Sequence, residues 1–333
     1  MYDNMDEAVN CPRGDIELVE DEITGVISNF AFRPELMTYD GHYQNEQALS
    51  PQFRLHLQEV ADVVERDMGL SRLVEVGCGK GSFLELLQAR GADITGFDVT
   101  YEGNNPSIQR KLFSAEVTVQ ADALILRHVL EHIKDPFSFL HQLKEANGGR
   151  GRIYIEVPCF DWICERRAWF DIFYEHVNYF RLSDFFRFFG EVVSCGHLFG
   201  EQYFYVVADL GLLRQCPLPV VSGFSLPNDF TCAIAKRRSG DQGCAVVWGG
   251  ASKGVIFSLL RARAGYPVDK VIDINPEKQR RFLPGTGLMV HAPEQVLPEL
   301  PKGSSIYVMN SNYLQEIRSM AGEDFIYIGV DHE

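Results

Sequence analysis

Apolar positions along the 333-residue chain fall into short continuous runs separated by stripes at helical spacing. Such a pattern predicts strands buried on both faces and joined by crossover helices. Ser50-Pro51 reads as an N-cap followed by proline at the first helical position, and Leu55, Leu57, Val60, Val63 and Val64 carry a helical stripe up to Gly69. A strand near 72–76, a helix over 81–89 and a strand over 93–97 follow, then strands near 116–119 and 123–127. Asp135-Pro136 caps a helix that Asn147-Gly-Gly149 ends, and the strand 152–157 is stopped by Pro158. Strands 191–199 and 201–209 read as a closing hairpin. The Pro- and Ser-containing stretch 210–240 is poorly periodic. A second alternation then begins: strand 244–248, a glycine turn at 249–254, a helix, and strands at 270–274, 304–309 and 325–330 with a helix over 313–320. The pattern predicts an α/β chain with an arm or cap over 1–49, a doubly wound domain over 50–210, a linker over 211–240 and a smaller α/β domain over 241–333.

One stretch narrows the chemistry. In Leu73-Val-Glu-Val-Gly-Cys-Gly-Lys-Gly-Ser-Phe83 an apolar run containing an acid meets a turn with Gly77, Gly79 and Gly81, with Cys78 between the first two. Strand, glycine turn and helix form the first unit of a doubly wound domain, whose ligands sit at the carboxyl ends of the strands. The spacing is G-x-G-x-G, not the G-x-G-x-x-G of a dinucleotide site. A pyrophosphate needs bare backbone N–H groups at a helix N-terminus. A ligand with a cationic amino acid part and a ribose needs a carboxylate near the turn, and Glu75 supplies one.

Composition excludes some partners. Net charge is −15, and the first 25 residues hold eight acids against one base, Arg13. That surface repels phosphate backbones, so no nucleic-acid partner is expected. No signal peptide and no run of eighteen apolar residues is legible, so no membrane partner is expected and the expected location is cytoplasmic. Eight scattered cysteines without a C-x-x-C pair argue against a zinc ribbon and a disulfide framework, so no metal site is expected. The sequence leaves the oligomeric state open.

Other residues are placed by the topology. Asp98, closing the second strand, can reach the ribose hydroxyls of an adenosine ligand. Asp122, in Gln120-Ala-Asp122 after the expected third strand, can meet an adenine edge. Arg127 and His128 follow the fourth strand beside the rest of the ligand, whereas Glu131 and His132 read equally as polar groups bonding the next helix. Residues 160–189 hold twelve aromatics, against a chain average of 12%, and enclose Tyr174-Glu-His176 with Asn178 and Tyr179. His176 beside Glu175, among rings, is suited to general-base work. Tyr174, Glu175 and Tyr179 are weaker candidates. Lys253, in Gly249-Gly-Ala-Ser-Lys-Gly254, can hold a phosphate or carboxylate.

These motifs resemble class I S-adenosylmethionine (SAM) methyltransferases, and in their order the sugar C-methyltransferase family. The resemblance rests on the glycine turn, on Arg127-His-Val-Leu-Glu-His132, on Tyr174-Glu-His176 with Tyr179, and on the second glycine turn. It implies a Rossmann-like class I methyltransferase domain with a smaller C-terminal Rossmann-like α/β domain that closes over a small-molecule substrate. It implies SAM as cofactor, with S-adenosylhomocysteine as product. His176 would take the proton α to the ketone of a 4-keto nucleotide-sugar. The family's N-terminal zinc module of paired cysteines is missing, since only Cys11 stands there, and Tyr43 matches a family tyrosine loosely. O-methylation of a carboxylate or hydroxyl of a natural product, and non-catalytic nucleotide or SAM binding, are the alternatives.

Overall fold

The computed structural model describes residues 1–37, 48–117, 120–220, 223–235 and 244–331. Near the N-terminus, β1 (Leu18–Glu20) and β2 (Ile27–Asn29) pair antiparallel. Next come β3 (Leu73–Val76), β4 (Ile94–Phe97), β5 (Ile108–Gln109), β6 (Ala123–Arg127) and β7 (Arg152–Pro158), joined by parallel pairings. β8 (Asn178–Tyr179) leaves that sheet and pairs with β2. The hairpin β9 (Val192–Leu198) and β10 (Tyr203–Asp209) returns antiparallel on β7, as the sequence predicts. The resulting order is β5-β4-β3-β6-β7-β10-β9. Chain direction across the sheet reverses between β3 and β6, which opens a crevice at their carboxyl ends.

The second unit repeats the plan in β11 (Ala245–Trp248), β12 (Lys270–Ile272), β13 (Val290–His291), β14 (Ser305–Val308) and β15 (Ile326–Gly329). These strands are parallel, in the order β13-β12-β11-β14-β15. The chain therefore has a Rossmann-like domain and a second C-terminal α/β domain on a parallel sheet, as expected. β3 and β14 are buried at every position and β6 at all but its last, which is why they read as unbroken apolar runs.

Helix Pro51–Met68 starts where Ser50 Oγ accepts from the Phe53 N–H at 3.2 Å, with proline in the first turn. It buries Phe53, His56, Leu57, Val60, Ala61 and Val64, the i, i+3, i+4 face. Leu55 lies off that stripe and is 60% exposed, a correction to the expected set. The strand expected near 116–119 is a turn at 115–116, and 118–119 lie outside the described residues. The sheet's edge is instead β5, two residues long and too short to leave a period. Tyr43 also lies outside the described residues.

The aromatic block is mostly core. Phe170, Phe180, Phe185, Phe188 and Phe189 are fully buried, and of its twelve rings only Phe173 lines the cavity described below. The block therefore packs elements together. All eight cysteines are free thiols, and among the described residues no helix is long and apolar enough to cross a membrane.

Candidate functional site

Gly77, Gly79 and Gly81 follow β3 with φ of +74°, +54° and +85°. Gly77 is sterically required: a Cβ there would stand 2.5 Å from Val129 Cγ2, besides adopting a left-handed backbone. Gly79 faces open space, with nothing within 4 Å of an added Cβ, and its N–H donates to Asp98 Oδ2 at 2.8 Å. Asp98 Oδ1 accepts from the N–H and hydroxyl of Thr100, both at 2.8 Å. The Gly77 and Cys78 N–H groups donate to the Phe97 carbonyl at 2.8 and 3.4 Å. Cys78 turns its side chain into the core, where burial pushes the thiol pKa up, so only its backbone belongs to the turn.

Glu75 is buried, and its Oε2 has no hydrogen-bond partner. Burial pushes its pKa up to about 8, against the pull of the Arg127 guanidinium. An idle buried carboxylate oxygen behind a bare glycine turn fits a ligand bearing a cationic amino group and hydroxyls. Asp98 stands near enough to Glu75 to add to that rise.

Arg127 and His128 meet Glu156, which the motif search missed. Arg127 lies over the Phe83 ring at 4.6 Å and donates to Glu156 Oε2 at 3.2 Å. Glu156 Oε1 stands 2.8 Å from His56 Nε2 and 3.1 Å from His128 Nε2. The other His128 nitrogen, Nδ1, meets Glu131 Oε1 at 3.2 Å. Burial alone would lower the His128 pKa, but the two carboxylates outweigh it and carry it up to about 9. Burial would raise Glu156, yet Arg127 and the imidazoles hold it well below the usual carboxylate range. An acid inside the apolar run of β7 was the available signal for Glu156; His56 lies 100 positions away and gives none.

A cavity of about 220 Å³ opens between the two α/β units. His128, Glu131, His132, Glu175 and His176 line it from the first unit, and Ser252, Lys253 and Asn275 from the second. The glycine turn does not line it, and of the residues expected beside the cofactor only His128 does. His176 is buried with a partner-free Nδ1. Burial, with His132, His128 and Lys253 nearby, holds its pKa well below the usual imidazole range. Glu175 Oε2 accepts from Ser252 Oγ at 3.2 Å, and Lys253 is paired to the buried Asp171 at 2.7 Å. These bonds, with Ser50 Oγ donating to Glu316 at 2.6 Å, fasten the units around the cavity.

Three expected site residues stand elsewhere. Asp122 precedes β6, at the amino end of the strand, where it pairs with Arg72 on the surface; an acid there cannot reach the crevice at the carboxyl ends. The Tyr174 hydroxyl accepts from the Arg33 N–H at 2.8 Å and its ring packs on Phe32. Tyr179 is buried, its hydroxyl bonded to the backbone of Phe173 at 3.2 Å. Asn178 likewise donates to the carbonyl of Ile133. All three of these side chains fix the loop that carries His176.

Residues 43–192 match a family described as methyltransferase domain. Ubiquinone biosynthesis O-methyltransferase of Ruegeria pomeroyi is 30% identical over 115 residues, 27% of this chain and 46% of that protein. The Salmonella paratyphi A enzyme of the same name is 26% identical over 126 residues, 33% and 52% respectively. The chain spans about half the length of these curated relatives. Similar solved structures include magnesium protoporphyrin IX methyltransferase from Synechocystis PCC 6803 with bound SAH, at TM-score 0.37 and 17% identity, covering 50% of this chain and 90% of that one. Another is a SAM-dependent methyltransferase from Archaeoglobus fulgidus, at TM-score 0.36 and 17% identity, covering 48% and 100%. The match to a methyltransferase domain spans a little under half of this chain and includes the 77–81 turn, Asp98 and His176.

Proposed function

We propose that this chain transfers the methyl group of SAM to a small-molecule acceptor held in the cavity between its two α/β units. Glu75, the 77–81 turn and Asp98 are the residues to hold the cofactor, with Arg127 and His128 beside them. Bound there, the cofactor supplies a methyl group already activated on a sulfonium. The protein's part is to align the acceptor, exclude water and remove a proton. Alignment alone can lower the barrier by roughly 7–11 kcal/mol.

The finer reading is methylation at carbon, of the nucleotide-sugar class, with His176 as general base. One observation carries it: His176 Nδ1 is buried and without a partner, on a residue that forms part of the cavity wall. A neutral imidazole there accepts a proton, which leaves the acceptor atom nucleophilic. Glu175 reaches across to Ser252 and joins the two units behind it. A carboxylate acceptor, already ionised, needs no such base.

The test follows release of S-adenosylhomocysteine with a 4-keto nucleotide-sugar as acceptor. His176→Ala is expected to lower turnover by about 10²–10⁴-fold without changing affinity for the cofactor product. Near-full turnover in the variant would overturn the base assignment and point to a carboxylate acceptor. Cofactor binding without turnover on any acceptor would point to a binding protein.

A further inference from the structure

A base that takes the proton α to a ketone leaves an electron pair on the carbonyl oxygen. In a cavity that excludes water, such an oxyanion needs a donor from the wall. With His176 read as the base, that donor has to come from the same cavity.

Two lysines line the cavity, Lys253 and Lys278, both from the second unit. Lys278 stays within its own unit: its side chain is 8% exposed and its Nζ lies 3.4 Å from Asp273 Oδ2. Lys253, in the first turn of the helix Ser252–Arg263, reaches across instead. Its Nζ lies 2.7 Å from Oδ2 of Asp171, which stands five positions before His176. Asp171 and His176 both line the cavity. The Lys253 ammonium is close enough for its charge to help depress the His176 pKa, and Lys278 is not among the groups that do so.

The pairing anchors Lys253 without exhausting it. Asp171 is buried, and the same Oδ2 accepts from Gln202 Nε2 at 3.2 Å. Gln202, also buried, accepts in turn from Asn310 Nδ2 of the second unit. The carboxylate is therefore tied to both units. A lysine ammonium carries three N–H donors. Asp171 takes one, no other partner of Lys253 stands among the described residues, and 20% of the side chain is exposed. Two donors are left for a ligand.

We propose, on the reading of His176 as the base, that Lys253 is a second catalytic residue whose ammonium binds the ketone oxygen of the acceptor. The C–H bond α to the carbonyl breaks, and its proton goes to His176. The pair left behind forms the C=C bond of an enolate, while the carbonyl π pair moves to the oxygen bonded to Lys253. The enolate carbon is then the nucleophile for methyl transfer. Base and donor come from different units, so proton removal requires the acceptor to touch both.

Exchange of the α proton for deuterium isolates this step from methyl transfer. It is followed by NMR on a 4-keto nucleotide-sugar in D₂O with S-adenosylhomocysteine present. Lys253→Met alone would strip Asp171 of its partner, so the comparison is between Asp171→Asn and the double variant Lys253→Met/Asp171→Asn. Both lack the ion pair and differ only in the ammonium; circular dichroism verifies that each is folded. At saturating sugar the double variant is expected to exchange about 10²–10³-fold more slowly than the single, the loss for one oxyanion donor. Should the double variant not fold, Lys253→Gln against the wild type replaces it, since Gln keeps a hydrogen bond to Asp171 without the charge. Equal saturated rates overturn the proposal, and a raised KM at an equal rate would assign Lys253 to holding a phosphate instead. Exchange that persists in His176→Ala overturns the base and leaves the lysine standing. A wild type that exchanges nothing overturns the carbon-acid reading and the role of Lys253 with it.

Discussion

The N–H of Gly79 donates to Oδ2 of Asp98 at 2.8 Å, so the acid that closes β4 also holds the glycine turn in shape. The second unit has the same joint, between Gly250 and Asp273 at 2.8 Å. There the acid also takes the Asn275 N–H at 2.8 Å and the Lys278 ammonium at 3.4 Å. No such lysine bonds Asp98 among the described residues, and behind it stands Glu75 with an idle oxygen. The first crevice is thus the one whose carboxyl group keeps an idle oxygen.

Replacing Asp98 by Ala removes three accepted hydrogen bonds as well as the proposed ligand contact. Affinity for S-adenosylhomocysteine is expected to fall at least tenfold, and stability by about 1.5–3 kcal/mol, the range for hydrogen bonds to a charged group. Calorimetry and urea unfolding measure the two separately. Lost stability with unchanged affinity would leave Asp98 as a brace only.

Glu75 makes cofactor affinity depend on pH. Its pKa is raised to about 8 from 4.5, so between those values the folded chain keeps a proton that the unfolded chain has shed. On this group's account the stability of the ligand-free protein falls as pH rises through that window. A ligand that donates to the carboxylate favours its ionised form. Affinity for S-adenosylhomocysteine should therefore rise from about pH 6 to about pH 8, and the trend should vanish in Glu75→Gln. Calorimetric titrations across that range decide it; a flat wild-type profile contradicts the placement of Glu75.

Glu156→Gln leaves Arg127 and two imidazoles around a neutral amide in a fully buried site. Breaking a buried ionic network by removing one partner costs about 3–5 kcal/mol. The urea midpoint should drop accordingly. A variant as stable as the wild type would mean that the network is not closed in solution.

Asp122→Asn breaks only the surface pair with Arg72. Cofactor affinity and unfolding temperature should both stay at wild-type values. A tenfold loss of affinity would return Asp122 to the adenine side of the crevice.

The first glycine turn was legible because its chemistry is local. An apolar run, an acid and three glycines within a few positions specify strand, left-handed turn and helix. Asp98 followed from counting one crossover onward. Asp122 was misplaced because the third strand was put near 116–119, and a strand at the wrong position turns an amino-end residue into a carboxyl-end one. Tyr174 and Tyr179 stand within three positions of His176, but a loop followed by a two-residue strand has no period from which side-chain direction can be read. His56 and Glu156 meet across 100 positions, a pairing that exists only after the helix packs on the sheet.

Isothermal titration of S-adenosylhomocysteine into the wild-type chain and Glu75→Ala tests most directly whether the carboxylate-backed glycine turn holds SAM. One molecule should bind per wild-type chain, and the variant should bind at least tenfold more weakly. No heat of binding in the wild type, or equal affinity in the two proteins, would contradict the assignment.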